Sequence, residues 1–217
     1  VFNEINISWV GRICNFKIHS INYLILRLSQ ASKELDININ LHLIGDGPEV
    51  SSMENTIHLH DGFNIITAGS LPKTELDKYL LSNIDINASM GTSVLESAKY
   101  GIPSIVLDYS YQPINERYKF RWLHKSKHFD VGHMIGEADF RNDHMEMGEM
   151  IHDYITNYKT LSEKSYEYYL TNHALQSVSE QLQKQVAKLN LTFSQIKPRL
   201  LQKGLLRKMY ERRKYGI

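Results

Sequence analysis

The stretch that most constrains this 217-residue sequence runs from residue 84 to residue 107. An apolar run over 84–88 gives way to Ser89-Met90-Gly91-Thr92, a tight turn. A short helical segment follows and is stopped by Gly101-Ile102-Pro103, after which residues 104–107 are again apolar. The stretch reads as strand, turn, short helix, stop, strand. Gly91 tolerates a positive φ, and Thr92 and Ser93 are helix-start residues whose hydroxyls can accept from free amides of the first turn. Such amides, with the helix dipole, make an anion site suited to a phosphate. Glu96, about one turn in, is placed to reach back to the hydroxyls of a sugar or ribose held over the helix start. Gly101 and Pro103 end the helix. A unit of this kind is also ordinary α/β architecture that need bind nothing, so its meaning depends on the rest of the chain.

The rest repeats the pattern. Strands are predicted over residues 5–10, 39–44, 63–68 and 105–107, with a strand-like piece over 57–60. Residues 12–19 read as a loop. Ile21, Leu24, Ile25, Leu28, Ala31 and Leu35 then keep helical spacing, and a short helix over 73–82 turns Leu76, Tyr79 and Leu80 inward. The prediction is an α/β fold: a Rossmann-like, doubly wound, mostly parallel sheet with extra C-terminal helices. Its distinctive turns (Gly11-Arg12, the run Gly45-Asp46-Gly47-Pro48, Gly69-Ser70, and 89–92) all follow strands, so they converge on one sheet edge, where such folds bind ligands. Residues 109–136 are polar and aromatic, with a short helix predicted over 115–123. From residue 142 the chain turns helical. Met147, Met150, Ile151, Tyr154, Ile155 and Tyr158 form an inward face, and further helices are predicted over 166–172 and 175–191. Past Pro198, Leu201, Leu205, Leu206, Met209 and Tyr210 share one side of a basic amphipathic helix. The expected division is a ligand-binding domain over 1–190 and a basic helix or tail over 191–217.

Composition narrows the class. With 42% hydrophobic and 23% charged residues the chain can build one full domain. A single cysteine, Cys14, allows no disulfide within the chain and fits a reducing, cytoplasmic setting. No run approaches a membrane span, and no signal peptide is visible. The sequence opens on Val1 directly ahead of a strand, which reads as a piece of a longer protein cut at a domain boundary. Charge is uneven: residues 195–217 carry eight Lys/Arg against Glu211 alone, a net +7, and the overall +1 leaves about −6 elsewhere. A mildly acidic body argues against nucleic-acid binding. The tail is a candidate contact for an acidic partner or, peripherally, for the inner face of a membrane.

Arg12 and Lys17 set a guanidinium and an ammonium at the mouth of the first strand. Beside helix-start amides they form a clamp for a diphosphate, and neutralising a leaving nucleoside diphosphate would also assist bond breaking. The alternative is two solvated loop cations. His58 and His60 alternate on a strand-like piece, but ordinary surface histidines account for them better than a metal does. No metal site is assigned. Cys14 has no paired base and is taken as incidental. Asp108 touches a ligand or caps a turn. Trp122, Arg117 and Arg121 either cover the site or join the core.

These residues resemble a known family. Gly11-Arg12 with Lys17, then Leu43-Ile44-Gly45-Asp46-Gly47-Pro48, then Gly69-Ser70-Leu71 with Leu76, Tyr79 and Leu80, and finally Leu95-Glu96-Ser97-Ala98 with Gly101-Ile102-Pro103, fall in the order of the retaining, family-4 type (group 1) glycosyltransferases of the GT-B fold. The likeness covers residues 5–108 closely and the helical remainder loosely.

The resemblance implies the C-terminal, nucleotide-sugar-binding half of a two-domain enzyme. Such an enzyme transfers a hexosyl group from a nucleoside diphosphate to a hydroxyl with retention, in surface polysaccharide biosynthesis, with no cofactor beyond the sugar nucleotide. Arg12 and Lys17, the catalytic candidates, would hold the diphosphate, with Gly11 and Gly45 in the same loops. Gly91, Thr92 and Ser93 would face the phosphates, with backbone amides of Gly91 and Thr92 presented to them. Ser70 and Leu71 would lie near the base, and Glu96 would contact the ribose. The acceptor domain, ordinarily N-terminal, lies outside this sequence, so the chain alone is expected to bind nucleotide weakly and transfer nothing. One position departs: the first acid of the family's E-x7-E element falls at Ala88. A nucleotide-sugar epimerase, or a nucleotide-binding module without turnover, are the alternatives. The final helix, with Leu201, Leu205 and Met209, would dock on the missing half or meet a membrane.

Overall fold

The computed structural model describes residues 3–53, 60–127, 129–140 and 144–188. The described part of the first compact unit, Val1–Ala174, is built on one sheet, and the second, Leu175–Ile217, contributes a single described helix. In chain order the elements are β1 (Glu4–Val10), α1 (Asn15–Leu35), β2 (Asn38–Ile44), β3 (Phe63–Gly69), α2 (Lys73–Asn83), β4 (Ile86–Ser89), α3 (Ser93–Ala98), β5 (Ser104–Val106), β6 (Arg121–Trp122), α4 (Met147–Asn172) and α5 (Leu175–Ala187), with short 3-10 turns between some of them. The strand order is β3-β2-β1-β4-β5-β6, with β6 alone antiparallel. The doubly wound α/β fold predicted above is therefore present.

Alternation within the central strands explains the layering. Ile5, Ile7 and Trp9 of β1 and Ile39, Leu41 and Leu43 of β2 bury against Ile21, Leu24 and Leu28 of α1. On the other face, Val10 and Ile44 at the strand ends meet Leu80 of α2, and Val106 meets Val94 and Ala98 of α3. Between them this second face is polar and largely pairs with itself, with Asn87 Nδ2 left without a partner among the described residues. Asn64 Nδ2 donates to Asn40 Oδ1 at 3.1 Å, Asn40 Nδ2 to Asn6 Oδ1 at 3.0 Å, and Ser8 Oγ to Asn87 Oδ1 at 3.0 Å. Because α1 covers one face and α2 and α3 the other, the order reverses between β1 and β4, and a crevice opens at their carboxyl ends.

Four local predictions need correction. Residues 12–19 are not all loop: α1 starts at Asn15, capped at Cys14, because Lys17 N and Ile18 N both donate to Cys14 O. No helix forms over 115–123. There Phe120 bridges Met145, and Arg121 and Trp122 pair with Val106 and Ile105, so tertiary pairing overrides the local pattern. The stretch expected as separate helices is one helix, α4, with a non-helical Asn157 (φ −128°) inside it. Tyr158, expected in the core, follows that break and is exposed, whereas Met147, Met150, Ile151 and Tyr154 are buried as read. The helix α5 presents Leu175, Leu182 and Val186 to solvent. Among the described residues no helix is long and apolar enough to cross a membrane. The expected tail over 191–217, the strand-like piece over 57–60 up to His60, and His58 itself lie outside the described residues.

Candidate functional site

At the carboxyl edge of the sheet the glycine loops interlock. Gly11 N donates to Ile44 O at 2.9 Å, Ile13 N to Asp46 O at 3.0 Å and Gly45 N to Gly69 O at 2.8 Å. The approach is so close that a Cβ on Gly45 would lie 2.0 Å from Gly11 O, and one on Gly47 1.8 Å from Ile13 O. Glycine is therefore required at both places. The loops after β1, β2 and β3 thus wall a cavity of about 510 Å³, with Arg12 and Asp46 polar and Leu71 and Leu76 apolar in its lining, and Gly11, Gly45 and Ser70 beside them. That size is in the range of small-molecule sites.

A second locus lies on the β4 side of Gly11. Gly11 has φ +149°, and the point where its Cβ would stand is 3.5 Å from Lys17 Nζ and 3.7 Å from Ser93 Oγ. The ammonium also lies 5.8 Å from the centre of the Trp9 ring and 5.7 Å from that of Phe16, which fixes it at the start of α1. Thr92 N and Ser93 N have no acceptor among the described residues, whereas Gly91 N is already bound to Val131 O at 2.6 Å. The expectation that Gly91 presents its amide is therefore corrected, and Thr92 and Ser93 are left to do so. The expected side-chain capping is absent too: Thr92 is itself helical (φ −65°, ψ −17°), and α3 has six residues. An ammonium and a hydroxyl meet here, on the residues next to two amides that have no acceptor among the described residues, a donor set suited to an anion.

Glu96 lies on α3, and its carboxylate is braced from α2. Its Oε2 accepts from Lys73 Nζ and, at 2.9 Å, from Lys99 Nζ, while Asp77 Oδ1 accepts from the same two ammoniums at 3.3 and 3.0 Å. Burial works against the charge on Glu96, but the two ammoniums prevail and hold its pKa below the ordinary glutamate value. The sequence carried a signal for the short-range halves of this cluster, Lys73 with Asp77 and Glu96 with Lys99 at helical spacing. It carried none for their meeting.

Ala88 is fully buried in β4, beside Ile105 of β5 and among the apolar side chains facing α1. A carboxylate at that position would have no water and no partner. Asp108 is structural. It is almost wholly buried, receives Arg121 through both of its oxygens, and also accepts from Tyr118 Oη at 3.0 Å and His133 N at 3.0 Å. Arg121 and Trp122 are core residues, which resolves the alternative in favour of packing for those two; Arg117 is exposed. Ligand atoms of Asp108, Asp130 and His133 lie within 4.8 Å of one another, but the Arg121 guanidinium already pairs with both carboxylates. His60 Nδ1 accepts from Gly62 N, and Cys14 carries a free thiol. Sequence reading missed Lys73, Lys99 and the 129–140 segment with its His133.

The sequence matches no protein-family model and no curated protein. Solved structures are similar in fold. TarM of S. aureus, in complex with fondaparinux, alpha-GlcNAc-glycerol and UDP, superposes with a TM-score of 0.51 at 15% identity, covering 84% of this chain and 35% of that one. The pneumococcal O-GlcNAc transferase GtfA, in complex with UDP and GlcNAc, gives 0.50 at 14% identity, covering 86% and 36%. The chain spans about a third of the length of these structures. The fold is the Rossmann-like α/β half of a GT-B architecture.

Proposed function

We propose that this chain is the donor-binding half of a glycosyltransferase that takes a nucleoside-diphosphate sugar. The observation that carries the reading is the meeting of Lys17 Nζ and Ser93 Oγ over Gly11 at the β1–β4 crevice, next to the unpaired amides of Thr92 and Ser93 and the cavity of about 510 Å³. Both similar structures hold UDP, which supports the same ligand class here. On this reading the nucleoside enters the cavity between the β1, β2 and β3 loops, against Leu71 and Leu76. The diphosphate lies over Gly11, with Lys17 on one side and Arg12 on the other. As the bond to the sugar breaks, charge builds on the leaving diphosphate. Fixed cations and amides already aimed at that place stabilise it without reorganising. The two cations would do this without a bound metal.

The sugar would pass, with retention, to a hydroxyl brought by an N-terminal half, in surface polysaccharide assembly on the cytoplasmic side. The basic segment over 195–217 would be a peripheral membrane contact. Ala88, where the resembled family carries an acid, favours a second reading, a module that binds the nucleotide and does not turn it over. Full-length protein incubated with UDP-, GDP- and ADP-sugars tests both. Release of nucleoside diphosphate, lost in Lys17→Met, supports transfer. Binding without release supports the module, and the absence of both overturns the proposal.

A further inference from the structure

The segment between β6 and α4 folds back onto the turn that carries the anion-binding amides. Val131 O accepts from Gly91 N at 2.6 Å, and Tyr109 N donates to His133 O at 2.9 Å. Gly132 (φ +117°) packs so closely that a Cβ there would lie 2.4 Å from Leu107 O and 3.3 Å from Met90 Cβ. The position of residues 130–133 therefore sets the position of the 90–92 turn.

His133 ties this segment down. Its Nδ1 lies 3.0 Å from Asp130 Oδ2 and its Nε2 3.0 Å from Asp139 Oδ1. A carboxylate only accepts, and a neutral imidazole has one N–H. Both contacts are hydrogen bonds only when the ring is doubly protonated. The ring is 44% exposed, so its proton exchanges with solvent. The charged and titratable groups around it are Asp108 after β5, Asp130 on its own loop and Asp139 on the following 3-10 turn. Arg121 of β6 binds Asp108 and Asp130, Tyr118 binds Asp108, and Lys125, Lys127 and His144 line the same cavity of about 460 Å³.

We propose that His133 is a positioning residue of the nucleotide site: its imidazolium, held between Asp130 and Asp139, fixes the loop that sets the Gly91 turn, so that the anion-binding amides are in place when the ring is protonated. This rests on the nucleotide reading above only for what the turn binds. Burial disfavours the charged ring, but Asp108, Asp139 and Asp130 outweigh it and raise the His133 pKa above the ordinary histidine value. The positioning is therefore complete below that ordinary value and is lost as pH rises through the raised one.

Two measurements on this chain separate the inference from the reading it uses. The first needs no ligand. In nitrogen–proton NMR spectra the amides of Gly91 and Gly132 should titrate with the midpoint of the His133 ring, and should be flat in His133→Arg, which stays charged and offers forked donors. The second is titration with UDP, GDP and ADP from about pH 6 to about pH 8.5. Relative to His133→Arg, which cancels the titration of the ligand itself, wild-type affinity should fall about three- to tenfold with rising pH, and folded His133→Gln should be weak throughout. Gly91 amide shifts that ignore the His133 midpoint, or a His133→Gln variant that binds as wild type does, overturn the inference. Coupled Gly91 shifts with no nucleotide bound by any variant would sink the nucleotide reading and leave the positioning intact.

Discussion

Lys17 and Glu96 show how differently two charged residues are held. Lys17 is placed by α1 and by the faces of Trp9 and Phe16, and it has no acidic partner closer than 4 Å among the described residues. Glu96 is braced by two ammoniums. Its depressed pKa has a stability consequence of definite sign: the contribution is present above the ordinary glutamate pKa and lost as pH falls through the lower, folded value. Because Lys73 is 56% exposed, the effect should stay below about 1 kcal/mol. Urea denaturation at stepped pH should show a shallower acid limb for Glu96→Gln than for wild type. An identical limb would show that the network contributes no stability. At this scale the strand-end motifs made Gly11, Lys17, Gly45, Ser70, Leu71 and Ser93 legible. The occupation of the Gly91 amide was not legible, since its acceptor, Val131, is forty residues on in an aperiodic stretch.

The elements follow their hydrophobic periodicity wherever they pack on the sheet, and depart from it where a few polar contacts decide. Residues 121–122 are extended because Arg121 reaches Asp108 and β6 pairs with β5. No pattern of period two or 3.6 announces a two-residue strand. The loops, by contrast, are fixed by backbone contact. Gly45→Ala would combine a φ of +143° with a Cβ 2.0 Å from Gly11 O, and should cost about 3 kcal/mol or more in denaturant unfolding. A loss under about 1 kcal/mol would mean the loops separate easily. The strand β4 gives a second test. Ala88→Glu puts an acid into an apolar layer. The urea midpoint should fall by about 1–2 M, with no gain in donor turnover. An unchanged midpoint would show that position 88 reaches water and that the strand is read wrongly.

For the whole molecule, the sequence's alternation of strands and helices was enough to predict the doubly wound sheet, and the strand-end placement of its turns predicted the edge on which the site forms. What holds that edge together is long-range: the loops after β1, β2 and β3 stack on one another, α2 meets α3 through Lys73 and Glu96, and residues 130–133 close on the β4 turn. If these contacts build a nucleoside-diphosphate site with Lys17 at its charged end, isothermal titration of this chain with UDP, GDP and ADP should show millimolar or tighter binding of at least one nucleotide, weakened about tenfold in Lys17→Met, or about 1.4 kcal/mol. Binding that Lys17→Met leaves unchanged, or no heat from any of the three in a folded sample, would rule such a site out.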